Sequence, residues 1–407
     1  MIIRLACLLL ALSLPLYCPA QDAGEIDVLA EVDAVFSDPS DFTADTDNEF
    51  ELDEILAIDM SAEALALARS LGFTLLDSTP LPALGFTVNR LRLPISFNVA
   101  PLLDLLTKAD PLGLYGKNPV YRLAGESPSA SACEGLRCYG QQLIGWPAAG
   151  CPISTRIGML DSAVDRQHPA LKGSSLSTAR FSKKPPSRAE REHGTAVAAQ
   201  LVGQLASGHA GLLPQASLFA ADVFEQDADA RPYTDAFKLV QGLNWLAQQR
   251  IDTLNISIGG PDNPVLHKAV QTLVRKGVAI SAAAGNLGAK AAPQYPAAYA
   301  EVLAVTAVDR QLRIYAGASQ GAHVRIAAPG VAIWTTGDEA RGQFHDGTSF
   351  AAPFATAALA LLHQQQTQLS PAQRVAALTA ASRDLGAKGR DPVYGTGLLQ
   401  LPGRCLP

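Results

Sequence analysis

Apolar and polar positions follow two different rhythms along the 407-residue chain, and the change falls near residue 150. Phe50 to Asp59 alternates as a strand does. Ser61-Ala62-Glu63 opens an Ala/Leu-rich helix that runs to Ser70 and is stopped by Gly72. Phe73 to Asp77 and Phe86 to Leu93 predict two strands around a Pro/Gly-rich turn. Asn98 to Ala109 predicts a second helix and Leu114 to Leu123 a last strand. The order β-α-β-β-α-β is that of the split, ferredoxin-like α+β arrangement. From Ile153 onward, short apolar strands alternate with amphipathic helices. Strands are predicted at Arg156 to Leu160, Ser217 to Val223, Thr253 to Ile258, Val278 to Ala283 and Val302 to Val308. Helices are predicted at His193 to Leu205, Thr234 to Gln249, Asn263 to Lys276 and Pro353 to Gln366. This rhythm argues for an α/β region with a doubly wound, mostly parallel sheet and helices on both faces. Active sites in such sheets form at the carboxyl ends of strands.

Composition sharpens this picture in two places. Hydrophobic residues make up 48% and charged residues 17%, so most of the chain reads as globular and long enough for more than one domain. The net charge of −6 is unevenly placed: residues 1–54 carry thirteen Asp and Glu against Arg4, which leaves the remainder at +6. No basic patch interleaved with aromatics occurs, which argues against a nucleic-acid partner. Residues 21–50 are acidic and almost free of basic residues, so they are expected not to order themselves. Residues 1–20 read as a secretory signal, with Arg4, the apolar stretch Leu5 to Leu16, and Cys18-Pro19-Ala20 before Gln21. The apolar stretch is short and broken by Pro15, so no stable membrane anchor is expected. Export to the periplasm or the medium implies an oxidising compartment. Removal of the signal leaves Cys133, Cys138, Cys151 and Cys405, an even number that argues for two disulfides. Three pairings are open. The C-x4-C spacing, with no histidine near, gives little support to zinc.

Candidate chemistry gathers around Gly347-Thr348-Ser349-Phe350-Ala351-Ala352-Pro353, which precedes the apolar run Phe354 to Leu362. A serine in the first turn of a buried helix sits where free backbone N–H groups point forward. Alone, this is equally the pattern of a capping serine. Asp161 stands at a strand end in Ile157-Gly158-Met159-Leu160-Asp161-Ser162, where a carboxylate can fix an imidazole tautomer. Asp165 lies past the turn and is expected to face solvent. His193 begins His193-Gly194-Thr195-Ala196-Val197-Ala198; a histidine at a helix start tends to stay neutral, as a general base must. A zinc-protease H-x-x-E-H pattern fails because Ala189 occupies the needed histidine position. Asn286 closes Ser281-Ala282-Ala283-Ala284-Gly285-Asn286, a small-residue strand end with an amide that can donate to an oxyanion. The acceptor triplet Asn255-Ile256-Ser257 falls in a predicted core strand, so glycosylation there is not expected.

In this order, these motifs resemble the subtilisin family of serine peptidases (subtilases), which runs Asp, His, Ser. The resemblance extends from about Ile153 to Tyr394-Gly395-Thr396-Gly397-Leu398. It implies a subtilisin-like fold with Asp161, His193 and Ser349 as the catalytic triad. It also implies that Asn286 and the Ser349 N–H hold the oxyanion. Ser257-Ile258-Gly259-Gly260 resembles the strand edge that pairs with extended substrate. With Ala283 and Gly285 it would wall a first specificity pocket suited to a bulky apolar residue. Three positions depart from the family pattern: Ala163 for a glycine, Ala196 for a second histidine, and Leu287 for an acid. By position, residues 51–123 resemble the inhibitory pro-domain of the family, whose last strand lies in the cleft until it is cut. The cut would fall between Tyr121 and Ala132, in a cysteine-bearing linker spanning 124–152, ahead of a catalytic domain at 153–407. The implied protein is an exported, monomeric serine endopeptidase made as a self-processing zymogen. Its partners would be a protein or peptide substrate and its own pro-domain as intramolecular inhibitor. The alternative is a catalytically silent scaffold of the same fold. The chemistry requires no cofactor; calcium stabilises many subtilases, but no contiguous Asp-rich loop marks a metal site here. An α/β-hydrolase esterase is opposed by the missing G-x-S-x-G and by motif order, and a Ser-Glu-Asp acid peptidase by His193.

Overall fold

The computed structural model describes residues 50–93, 99–123, 139–205, 210–227, 231–337 and 342–405. The expected signal peptide, nearly all of the acidic leader, and Cys133 and Cys138 lie outside the described residues. Among the described residues, no helix is long and apolar enough to cross a membrane.

The first unit comprises β1 (Phe50–Ile58), α1 (Ala62–Ser70), β2 (Thr74–Leu81), β3 (Phe86–Arg92), α2 (Ala100–Ala109) and β4 (Leu114–Leu123). Its strands pair antiparallel in the order β2-β3-β1-β4, the split arrangement read from the sequence. Ser61 caps α1, its Oγ accepting from the Ala64 N–H at 3.1 Å. Ile55, Leu56, Ala57 and Ile58 are all buried, so β1 ends as a continuous apolar run. Both of its faces are covered. Ile55 and Ala57 pack in the unit's own core with Ala64, Leu102 and Leu106. Leu56 and Ile58 face the other way, into a core shared with Phe237, Leu243 and Val270 from the rest of the chain.

A short helix, α3 (Tyr139–Leu143), leads into the large second region. There follow β5 (Arg156–Asp161), β6 (Ser175–Arg180), α4 (Arg188–Val202), β7 (Ser217–Asp222), β8 (Glu225–Gln226), β9 (Pro232–Asp235) and α5 (Ala236–Gln248). Next come β10 (Thr253–Ile256), β11 (Ile258–Gly259), α6 (Pro264–Arg275), β12 (Ala279–Ala283), β13 (Leu303–Val308) and β14 (Ile326–Pro329). The chain closes with β15 (Ile333–Thr336), β16 (Gly342–His345), α7 (Thr348–Gln365) and α8 (Pro371–Ala380). Seven strands form a wholly parallel sheet in the order β14-β13-β12-β10-β5-β7-β6. One core, with α4 and α7, fills one side of the sheet. The other, with α5 and α6, fills the opposite side and is shared with the first unit. The sequence order turns back between β5 and β10, which makes the carboxyl ends of those strands the switch point of the sheet.

Three expectations need correction. Residues 139–151 are not a free linker: Tyr139, Ile144, Trp146 and Cys151 are buried in the large core, and the Trp146 Nε1–H donates to the Leu212 carbonyl at 3.0 Å. Residues 124–138 of that segment lie outside the described residues. Helix α4 starts at Arg188, five residues before His193, because Ser187 and Glu190 form a reciprocal capping box. His193 is therefore inside the helix, and the helix-start argument for it falls away. Helix α7 starts at Thr348, so Pro353 is interior to it. Proline has no N–H to give the Ser349 carbonyl, and that carbonyl instead accepts from the Ser257 hydroxyl at 3.4 Å.

Candidate active site

Asp161 ends β5 at the switch point and is fully buried. Its Oδ1 accepts from the Ser162 N–H at 2.7 Å and lies 2.7 Å from His193 Nδ1. That contact makes Nδ1 the protonated nitrogen and leaves Nε2 as the basic one. Nε2 has no hydrogen-bond partner among the described residues. The Ser162 hydroxyl accepts from the Gly194 N–H at 3.0 Å and ties the loop after β5 to the helix carrying His193. Ala163, standing where the family pattern has glycine, is not among the residues with positive φ, so the loop accepts a side chain there. Asp165 serves a local turn instead, accepting from the Gln167 N–H at 2.9 Å.

The His193 ring lies 5.3 Å, centroid to centroid, from Phe350, the residue after Ser349. Gly347, at φ 136°, turns the chain into α7 through a backbone conformation that suits only glycine. Ser349 is the second residue of α7, in its first turn. Its Oγ donates to the Ser257 carbonyl at 3.4 Å, a long contact. Asn286 comes from the loop after β12. Its Oδ1 accepts from the Thr348 N–H at 3.1 Å and from the Thr348 hydroxyl at 2.9 Å. This fixes which end of the amide is oxygen and leaves Nδ2 as a buried donor with no partner among the described residues. Thr348 also accepts from the Gly285 N–H at 3.2 Å. The role of Thr348 was not foreseen; its place beside the serine in the motif was the only signal.

Two further charged or titratable groups went unread. His345 ends β16, is buried, and its ring lies 4.7 Å, centroid to centroid, from that of Phe350 at a tilt of 31°. Its Nε2–H donates to the Thr336 carbonyl at 2.7 Å, and burial pushes its pKa down to about 4. Asp222 stands beside Asp161 in the register of β5 and β7. Burial raises its carboxyl to about 6 although Arg180 is hydrogen-bonded to it. Arg180 also lies 3.7 Å from Glu190, one turn before His193 on α4.

The strand edge predicted to receive substrate is occupied by the chain itself. β4 runs antiparallel to β11, with Leu123 opposite Ile258 and Arg122 opposite Gly259. On its other side Val120 and Tyr121 pair with Asp235 and Thr234 of β9. Tyr121 is fully buried, and its hydroxyl donates to the Pro261 carbonyl at 3.0 Å. Its ring leaves no room for a side chain at Gly260, where a Cβ would lie 2.3 Å from it. Beside this strand and Asn286 is a cavity of about 300 Å³, lined by Gly259, Gly260, Gly285, Leu287 and Gln294 among others. Ala283 and Ile258 are not among its lining residues: both are fully buried in the interior. Asn255 is also fully buried, its Nδ2–H donating to the Ser257 hydroxyl at 2.9 Å, so the acceptor triplet is closed to glycosylation. Cys151 and Cys405 are brought together with their Cα atoms 5.1 Å apart. Among the described residues, no group of three or more His, Cys, Asp or Glu is assembled that could hold a metal ion.

The sequence model of the subtilase family (peptidase S8) matches residues 154–397, and the chain belongs to that family. It is 34% identical over 211 residues to the minor extracellular protease Epr of Bacillus subtilis, covering 51% of this chain and 32% of that protein. It is 30% identical over 256 residues to subtilisin DY of Bacillus licheniformis, covering 61% of this chain and 89% of that one. The fold is shared with fervidolysin from Fervidobacterium pennivorans, a keratinolytic enzyme related to subtilisin. There the TM-score is 0.68 at 21% identity, over 87% of this chain and 61% of that structure. The chain thus spans about a third of the length of Epr and three fifths of fervidolysin.

Proposed function

We propose that the protein is an exported serine endopeptidase made as a self-processing zymogen. The observation that carries this reading is the 2.7 Å link from Asp161 to His193, set beside the first turn of the helix that bears Ser349. In the reaction Ser349 Oγ turns from the Ser257 carbonyl toward His193 Nε2 by rotation about χ1. Nε2 takes the hydroxyl proton as Oγ bonds to the substrate carbonyl carbon. Asp161 holds the resulting imidazolium through Nδ1–H. The tetrahedral oxyanion accepts from Asn286 Nδ2–H and the Ser349 N–H. His193 then gives its proton to the leaving amine, and water repeats the sequence to free Ser349 from the acyl group.

Residues 51–123 act as the pro-domain in this proposal, with β4 as a product-like strand in the cleft. β4 pairs with β11 as far as Leu123 opposite Ile258, and we place the scissile bond just beyond it in the sequence, between Ala124 and Gly125. Residues 1–20 direct export, and Cys151 and Cys405 form one disulfide in the oxidising compartment. Intact-mass measurement of the purified protein beside Ser349→Ala tests the proposal. The wild type is expected to yield a species beginning at Gly125, while Ser349→Ala remains joined across that bond. If both stay whole and the wild type hydrolyses no peptide, the chain is the silent scaffold instead.

A further inference from the structure

Four polar side chains are buried together against the first turns of α7. Asn255 and Ser281 stand side by side in the register of β10 and β12, Ser257 follows β10, and Thr356 belongs to α7. All four are fully buried. Thr356 is the one polar residue between Phe350 and Leu362. The hydrogen bonds among the four run in one direction. Pro353 has no N–H for the Ser349 carbonyl, and the Ser257 hydroxyl gives that carbonyl its single proton at 3.4 Å. The Ser257 oxygen can then only accept, and it does so from Asn255 Nδ2–H at 2.9 Å. This turns Asn255 Oδ1 toward Thr356, whose hydroxyl donates to it at 3.0 Å. With that proton committed, the Thr356 oxygen accepts from the Ser281 hydroxyl. The Ala352 carbonyl lies 3.2 Å from Thr356 Oγ1 and 3.5 Å from Ser281 Oγ. Giving it either proton would leave one of the two shorter contacts, Thr356 to Asn255 or Ser281 to Thr356, without a hydrogen.

We propose that Thr356, acting through Asn255 and Ser257, positions Ser349 for attack, with Ser281 holding the far end of the relay. The proposal rests on the peptidase reading above. At rest the two serines are tied twice, each hydroxyl donating to the other's carbonyl at 3.4 Å. Attack requires Ser349 Oγ to leave the Ser257 carbonyl, and of this pair only the Ser257 hydroxyl then holds the residue that carries the nucleophile. That bond is long, and a hydroxyl that itself accepts a hydrogen bond is the stronger donor. The relay therefore acts in the step in which the serine moves, and its loss belongs in kcat, not in KM.

The test compares hydrolysis of one fluorogenic peptide by the processed wild type and its variants, with kcat counted per titrated active site. Thr356→Val keeps the shape and removes the hydroxyl; kcat is expected to fall about tenfold while KM changes by less than about twofold. Thr356→Ser is expected to return kcat to within about threefold of wild type. Ser257→Ala is expected to lose about tenfold in kcat as well. Thr356→Val combined with Ser257→Ala should lose no more than Ser257→Ala alone, because the relay reaches Ser349 only through Ser257. Should Thr356→Val not fold, the smaller change Ser281→Ala decides: about threefold lower kcat, and no further loss where Ser257 is already alanine. An unchanged kcat in Thr356→Val, a Thr356→Ser enzyme as slow as Thr356→Val, or losses that multiply in the double variant overturn the relay and leave the peptidase reading standing. A wild type that hydrolyses no peptide overturns the peptidase reading itself.

Discussion

Asn286 can offer its Nδ2–H to an oxyanion only because Thr348 occupies its oxygen twice, through an N–H and a hydroxyl. A hydroxyl that touches no substrate thus orients the proposed oxyanion donor. Thr348→Val keeps the shape and one of the two bonds, so kcat is expected to fall about tenfold with KM little changed, and Thr348→Ser to recover it. Asn286→Ala is expected to lose the roughly 10²–10³ seen when the corresponding subtilisin asparagine is removed. Equal losses in both variants would mean that Thr348 acts in some other way. Two buried groups near the site set a pH signature of opposite sign. His345, pushed down to about 4 by burial, is neutral when folded; its contribution is present above its unfolded value and lost as pH falls from about 6.5 toward 4. Asp222, raised to about 6, contributes stability that is present below its unfolded value and lost as pH rises from about 4 through 6. The two slopes nearly cancel over that window. His345→Gln keeps an N–H for the Thr336 carbonyl, and its stability should fall with rising pH between 4 and 6. Asp222→Asn should show the reverse, each with a slope of up to about 1 kcal/mol per pH unit. Urea unfolding in a Ser349→Ala background reads both; parallel profiles would contradict the assignment.

At the scale of elements, the decisive contact is β4 lying in the groove between β9 and β11. Tyr121 anchors it where Gly260 leaves space. Gly260→Ala sets a Cβ against a fully buried ring that cannot yield, so cleavage of the precursor should slow at least about tenfold. Gly260→Ala with Tyr121→Ala should regain part of that rate, as expected for residues coupled by direct contact. Additive losses, followed by the appearance of the cleaved species on gels, would sink this account. The elements themselves were largely legible. The five predicted sheet strands and the first unit follow local apolar patterning, and the structure has strands and helices within a few residues of those places. What escaped notice lacks such a pattern. β6 is an edge strand reading Ser-Leu-Ser-Thr-Ala-Arg with no buried residue, and β14 is four residues long. The starts of α4 and α7 were set too late for opposite reasons. Polar Ser187 to Glu190 hid a capping box, and Pro353 looked like a boundary although a side chain from β11's neighbour, Ser257, takes over its missing bond. The candidate chemistry was legible as residue types in order; Thr348, His345, Asp222 and Thr356 were not, since each matters through contacts distant in sequence.

At the scale of the whole molecule, the first unit is joined to the second by more than the chain between them. Leu56, Ile58 and Val88 complete an apolar core with α5 and α6. The polar contacts at the seam gather on the starts of those two helices. The Phe237 N–H in the first turn of α5 donates to Asn118 Oδ1 at 3.3 Å, and Asn118 Nδ2–H donates to Glu54 at 3.1 Å. Asn263, the cap of α6, donates to the Lys117 carbonyl at 2.7 Å. Arg90 lies over the Phe237 ring at 4.9 Å. A cut after β4 would leave all of these contacts in place, so the severed unit should remain bound in the cleft and inhibit until it is degraded or displaced. Asn118 is the sensitive point, because it is fully buried and serves both sides of the seam. Asn118→Ala leaves a helix-start N–H and the Glu54 carboxylate each short of a partner, at a cost of about 1–3 kcal/mol. The severed Asn118→Ala unit should therefore inhibit the processed enzyme with an inhibition constant roughly ten- to hundredfold weaker than the natural one. The rate of cleavage before Gly125 should change little, since the cut bond and Ser349 are untouched by the substitution. An unchanged inhibition constant would mean that the shared apolar core alone holds the two units together.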